Sequence, residues 1–169
     1  YKSGAAIVGG DYNTAIGFSA GDSITSGGSN VILGAGAGAG ISTISECVLI
    51  GVDAGDALTT TTAANGTVAV GHIALGALTT GAGNTAVGYQ ALLTHTTGAR
   101  NIALGYGAMN DTDAGTNTLA SIDNIFIGYD AGGGTWVETD SDSDSNYNVG
   151  IGNYVMDAAM DGAVQNTAV

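Results

Sequence analysis

The chain is predicted to be all-β, a parallel β-solenoid with about one turn per 17 residues. Three observations predict it. A glycine-centred phrase recurs along most of the 169 residues. Aliphatic residues inside each phrase alternate by two, the strand period, rather than by 3.6. The 30 glycines, mixed with Thr, Asn and Val, weaken any helical alternative.

The repeat is the primary signal. Its copies read NTAIG at 13–17, NVILG at 30–34, CVLIG at 47–51 and TVAVG at 67–71, then NTAVG at 84–88, NIALG at 101–105, NIFIG at 124–128 and NVGIG at 148–152. The anchoring glycines are Gly17, Gly34, Gly51, Gly71, Gly88, Gly105, Gly128 and Gly152, with spacings of 17, 17, 20, 17, 17, 23 and 24. The unit is therefore 17 residues, with insertions of 3, 6 and 7. A degenerate earlier copy lies at 5–9. Stacked at the strand spacing of about 4.8 Å, eight turns give a rod on the order of 40 Å long. The domain is single, spanning 1–169, with a repeat core at about 5–156. Insertions fall at about 56–66, 110–122 and 132–147, and 157–169 reads as a tail or a link to a next segment.

Each element of the phrase carries its own chemistry. One and three residues before the glycine lie Thr14 and Ile16, Val31 and Leu33, Val48 and Ile50, Val68 and Val70, Thr85 and Val87, Ile102 and Leu104, Ile125 and Ile127, and Val149 and Ile151. These share one strand face, and this face is assigned to the interior. Between them sit Ala15, Ile32, Leu49, Ala69, Ala86, Ala103 and Phe126, with Gly150 last. Being apolar as well, this second face needs a cover, and it is assigned to an oligomer contact. Asn13, Asn30, Asn84, Asn101, Asn124 and Asn148 precede the strands; Asn tolerates left-handed backbone and can form an amide ladder when stacked. The glycine suits a corner that needs positive φ or close backbone approach. Alanine recurs three residues after it, at Ala20, Ala37, Ala54, Ala74, Ala91, Ala108 and Ala131, where a small side chain is required.

Charge narrows the function classes. Only two residues are basic against 15 acidic, for a formal net charge of −13. Nucleic-acid binding draws on clustered Lys and Arg, so it is disfavoured, as are anionic membrane surfaces. Ten acidic residues lie at or after Asp111, which makes one end of the rod the more acidic. No run approaches the roughly 20 apolar residues of a membrane helix. Cys47, the lone cysteine, permits no intrachain disulfide and reads as a small buried hydrophobe.

No catalytic constellation emerges, so no enzyme is expected. His72 occupies the place held by Tyr89, Tyr106 and Tyr129 and reads as a surface or interface side chain; His95 has no motif around it. The runs AGAGAG (35–40) and AGGG (131–134) lack the Gly-Lys-Ser/Thr ending of a phosphate loop and mark tight packing instead. Asp140, Asp142 and Asp144 alternate in the last insertion and are the weak candidates for a Ca²⁺ site, although the EF-hand pattern is not met. Beside them, Trp136 and Tyr147 are the aromatic candidates for receptor or glycan contact.

The phrases NTAVGYQAL and NIALGYGAM, at 84–92 and 101–109, resemble the head repeats of trimeric autotransporter adhesins and the related repeats of phage tail fibres. The resemblance covers about 5–156. It implies a homotrimer of left-handed parallel β-rolls about one axis, with an extracellular, non-enzymatic role in attachment. The unit is longer than that of the compact adhesin head, and no basic coiled-coil neck or membrane anchor follows within this sequence. These departures favour a segment of a virion tail fibre over a complete bacterial adhesin. The alternative from another class is an extracellular filament subunit that stacks head to tail through open solenoid ends. An ice-binding solenoid ranks lower, because Thr14 and Thr85 are the only threonines three residues before an anchoring glycine.

Overall fold

A computed structural model describes residues 3–4, 9–58, 64–112, 121–136, 144–160 and 162–169. Its strands are β1 (Thr14–Ile16), β2 (Val31–Leu33), β3 (Val48–Ile50), β4 (Val68–Val70), β5 (Thr85–Val87), β6 (Ile102–Leu104), β7 (Ile125–Ile127), β8 (Val149–Ile151) and β9 (Thr167–Ala168). They form one parallel sheet in chain order. Register pairs like with like, from Thr14 opposite Val31 to Val149 opposite Thr167. The chain is thus a β-solenoid of about eight turns. The rungs also pair away from the strands: Gly21 N–H donates to the Ala37 carbonyl at 3.0 Å, and Thr25 N–H to the Ser42 carbonyl at 2.9 Å.

The two strand faces are the reverse of the expectation. Ile32, Leu49, Ala69, Ala86, Ala103 and Phe126 have no solvent exposure, and Ala15 packs on the same core. They line the lumen of their own solenoid, so the assignment of these seven residues to an oligomer contact is corrected. The flanking residues point outward instead, and Ile16 is 61% exposed. Alternation identifies which residues share a face; with both faces apolar, it does not say which face closes on itself.

The lumen is filled by compensation between two columns. Where the middle strand residue is large, glycine stands six residues later: Ile32 with Gly38, Leu49 with Gly55, Phe126 with Gly132. Where it is small, a long side chain stands there instead: Ala69 with Leu75, Ala86 with Leu92, Ala103 with Met109, Gly150 with Met156. A Cβ on Gly38 would lie 2.7 Å from Leu49 Cδ1, and one on Gly132 would lie 2.7 Å from the Phe126 ring. Close packing holds the volume of each level nearly constant and lets the two columns trade it. Only the first level, Ala15 with Gly21, departs from this exchange.

The anchoring glycines are held at φ between 136° and 143°, and the first seven each face the next anchor's carbonyl so closely that a Cβ would collide with it. Other corners use left-handed backbone without glycine, as at Gln90 (φ 56°), Leu92 (φ 53°) and Arg100 (φ 58°). The asparagines are not among the positive-φ residues. That conformation belongs to the residue before each, for example Tyr12 (φ 62°), Ser29 (φ 61°) and Asp123 (φ 59°).

The amide ladder does form. Asn101 Nδ2 donates to Asn84 Oδ1 at 3.2 Å, and the series continues through Asn124 (3.0 Å), Asn148 (3.1 Å) and Asn166 (3.0 Å). Each of these Oδ1 atoms also accepts the next rung's backbone N–H, as Asn84 Oδ1 does from Asn101 at 3.0 Å. Cys47 and Thr67 interrupt the ladder. There the Cys47 backbone N–H still donates to Asn30 Oδ1 at 3.0 Å, and Thr67 Oγ1 donates to the Ala64 carbonyl at 2.8 Å.

Segments 59–63, 113–120 and 137–143 lie outside the described residues, as do 5–8 of the earlier copy. The end of the 157–169 segment, read as a tail or link, pairs with the coil. Asn166-Thr167-Ala168-Val169 supplies a seventh ladder asparagine and β9, repeating the letters of 84–87.

Candidate interaction face

Three outward columns run side by side along the solenoid. The first two are the outer residues of β1–β8, from Thr14 and Ile16 to Val149 and Ile151. Fourteen of these sixteen are aliphatic, two are Thr, and none is charged. Among the aliphatic ones Ile16, Val31, Val87 and Ile151 are the most exposed. The third column follows each anchoring glycine: Phe18, Ala35, Val52, His72, Tyr89, Tyr106, Tyr129 and Asn153.

Four members of the third column form a stacked aromatic ladder. His72 lies 5.4 Å from Tyr89 between ring centroids, Tyr89 lies 4.8 Å from Tyr106, and Tyr106 lies 5.2 Å from Tyr129. The interplanar angles are 7°, 15° and 9°. Tyr154 then closes on Tyr129 edge-on, at 5.2 Å and 62°. The strand spacing sets these separations, because each ring belongs to the same position of successive rungs. Offset stacking at such distances is favourable. The Tyr154 phenol foremost, followed by partial desolvation, a hydrogen bond with Tyr154 and the charge of Asp130, holds the Tyr129 phenol above its ordinary pKa.

The surface reading of His72 agrees with its exposed place at the end of this ladder. Trp136 does not fill the role expected of it. It is 3% exposed, its ring stands edge-on to Phe126 at 5.7 Å, and its Nε1–H donates to the Gly132 carbonyl at 3.1 Å. It is a core residue and not a receptor platform, because the lumen extends into the start of the insertion. Tyr147 is exposed, as a contact residue must be. Of the three Ca²⁺ candidates, Asp140 and Asp142 lie outside the described residues, and Asp144 is half-buried. No group of three or more metal-ligating side chains occurs among the described residues.

Among the described residues, two buried titratable groups sit in the core. Cys47 is fully buried, as expected, and burial raises its thiol pKa. His95 occupies the interior column of Ile24, Ile41, Leu58 and Leu78, and Thr112 follows it. His95 Nδ1 lies 3.0 Å from Thr112 Oγ1, and Nε2 lies 3.2 Å from Asn101 Nδ2, whose two hydrogens also face Asn84 Oδ1 and the Ser121 carbonyl. Burial lowers the His95 pKa to about 4. On the outer surface, Arg100 and Asp123 pair through two contacts of 2.7 Å, and the hydrogen bond from Arg100 lowers the Asp123 pKa.

Comparison with family models, curated proteins and solved structures gives no match. The geometry therefore stands alone. Among the described residues, no helix is long and apolar enough to cross a membrane. The chemistry on offer is a stiff column with one uncharged apolar face, rimmed by aromatics.

Sequence reasoning identified the aromatic position but not the stack. It also missed which strand face is outward, although two signals were present. Threonine enters the outer columns at 14, 85 and 167 and never the middle one. The volume exchange between the middle residue and the residue six later marks those two columns as neighbours in one lumen.

Proposed function

We propose that the chain is a structural and adhesive segment of an extracellular trimeric fibre, of the kind that forms a virion tail fibre for host attachment. One observation carries this reading: fourteen aliphatic side chains and no charge on the outer face of a sheet roughly 40 Å long. Contiguous apolar surface on that scale is rare on a soluble monomer. Three copies related by a cyclic axis can each turn this face inward and bury it against the other two. The acidic remainder then faces solvent, where like charge keeps the assembly soluble. The partner of such a fibre is a cell-surface receptor or glycan, and Tyr147 is one exposed residue available to it.

Mass in solution by light scattering tests the reading. A discrete trimer is expected. A monodisperse monomer would overturn it, and polydisperse polymers would favour the head-to-tail filament.

A further inference from the structure

We propose that the aromatic ladder is an oxidative cross-linking site, at which adjacent rungs are joined covalently by dityrosine. Tyr89, Tyr106 and Tyr129 are exposed, and their rings lie nearly parallel with centroids 4.8 and 5.2 Å apart. The inter-rung hydrogen bonds beneath them hold that spacing: Gln90 N–H to the His72 carbonyl at 3.1 Å, Gly107 N–H to the Tyr89 carbonyl at 2.9 Å, and Asp130 N–H to the Tyr106 carbonyl at 2.8 Å. Two phenols fixed in this way react as a unimolecular pair. The ring faces, by contrast, cover one another, so the ladder offers sugars edges rather than stacking platforms.

The chemistry balances with a peroxide as oxidant and a haem peroxidase as the one-electron carrier. Each phenol loses one electron and its O–H proton to become a tyrosyl radical. The two radicals form a C–C bond between ring carbons ortho to the oxygens. Each coupled carbon then loses its hydrogen as a proton while each oxygen regains one. The net loss is two electrons and two protons. Peroxide takes up both as its O–O bond breaks, giving two waters. The product closes Tyr89 to Tyr106 or Tyr106 to Tyr129, joining successive turns of a chain whose single buried cysteine permits no intrachain disulfide.

Exposure alone predicts another outcome. Tyr12 (88%) and Tyr147 (52%) are more exposed than Tyr106 (50%), but neither stacks on another ring among the described residues. Peroxidase with limiting peroxide should therefore be applied to the folded chain at high dilution, and to the chain in denaturant. Linked peptides are then mapped by mass. The expected result is intrachain links between Tyr89 and Tyr106 and between Tyr106 and Tyr129, enriched about tenfold or more over the denatured chain. Tyr106→Phe, which keeps the stacked ring, should abolish both links. Tyr129→Phe should abolish only the second. Links dominated by Tyr12 or Tyr147, links only between chains, or equal yields in the folded and denatured chain would each overturn the proposal. Circular dichroism of both variants separates loss of chemistry from loss of fold.

Discussion

At the level of single residues, the anchoring glycines are set by the neighbouring rung more than by their own turn. A Cβ at position 88 would collide with the Gly105 carbonyl, whereas one at 66 meets nothing within 4 Å. Both positions have positive φ, 142° and 71°. Gly66→Ala should therefore cost about 1–3 kcal/mol from backbone strain alone. Gly88→Ala should cost more than that and reach the exceptional range above about 4 kcal/mol, because two rungs must separate. Paired denaturant melts read the difference. His95 gives a second prediction. Its folded pKa of about 4 lies below the ordinary 6.5, so between those values the unfolded chain binds a proton that the folded chain refuses. Its contribution is complete above pH 6.5 and declines as pH falls towards 4, by on the order of 3 kcal/mol. The imidazolium would also present an Nε2–H to the Asn101 Nδ2 donor. His95→Leu, which matches the aliphatic members of its column, should remove this pH dependence. Stability measured from pH 7 to 4 on both proteins isolates it from the carboxylates.

For the rung as an element, volume is conserved between the middle strand residue and the residue six later. Ala86→Leu alone should overpack its level and cost about 1–3 kcal/mol. Leu92→Gly alone should open a cavity and cost about 2–5 kcal/mol. Together they recreate the pairing of Leu49 with Gly55, so the double variant should be more stable than the sum predicts by about 1–3 kcal/mol. Additive losses in a double-mutant cycle would show that the exchange is incidental. The same element shows what was legible. Coil length, strand positions, the asparagine ladder and the alanine column all follow from the spacing of Asn84, Ala86, Gly88 and Ala91 and their repeats. Orientation was missed, since Ala86 and Val87 are both apolar and only the scattered threonines at 14, 85 and 167 mark the outer face. Trp136 was misread for a related reason. It sits in an insertion beside acidic residues, which suggests a surface loop, while the lumen column that receives it is visible only once the rungs are aligned.

For the whole molecule, the outer face gives the decisive test of assembly. Leu104 points outward from β6, away from the lumen. If the proposed trimer forms through this face, Leu104→Asp should leave the solenoid signal in circular dichroism unchanged and shift the light-scattering mass to that of a monomer, because a charge buried without a partner is costly. An unchanged trimer would place the contact elsewhere. The Asn ladder, the glycine anchors and the backbone pairing all lie within each coil stack. The pairing that stacks the rungs therefore lies within the protomer, while the proposed trimer would rest on the two aliphatic columns.

Three intervals between anchoring glycines exceed 17 residues, and the strands on either side of each still pair residue for residue: Leu49 opposite Ala69, Ala103 opposite Phe126 and Phe126 opposite Gly150. Sequence length and rung number are therefore independent variables in this architecture. Adding a 17-residue unit adds a rung, whereas lengthening an interval adds residues and no rung. The stack counts phrases rather than residues.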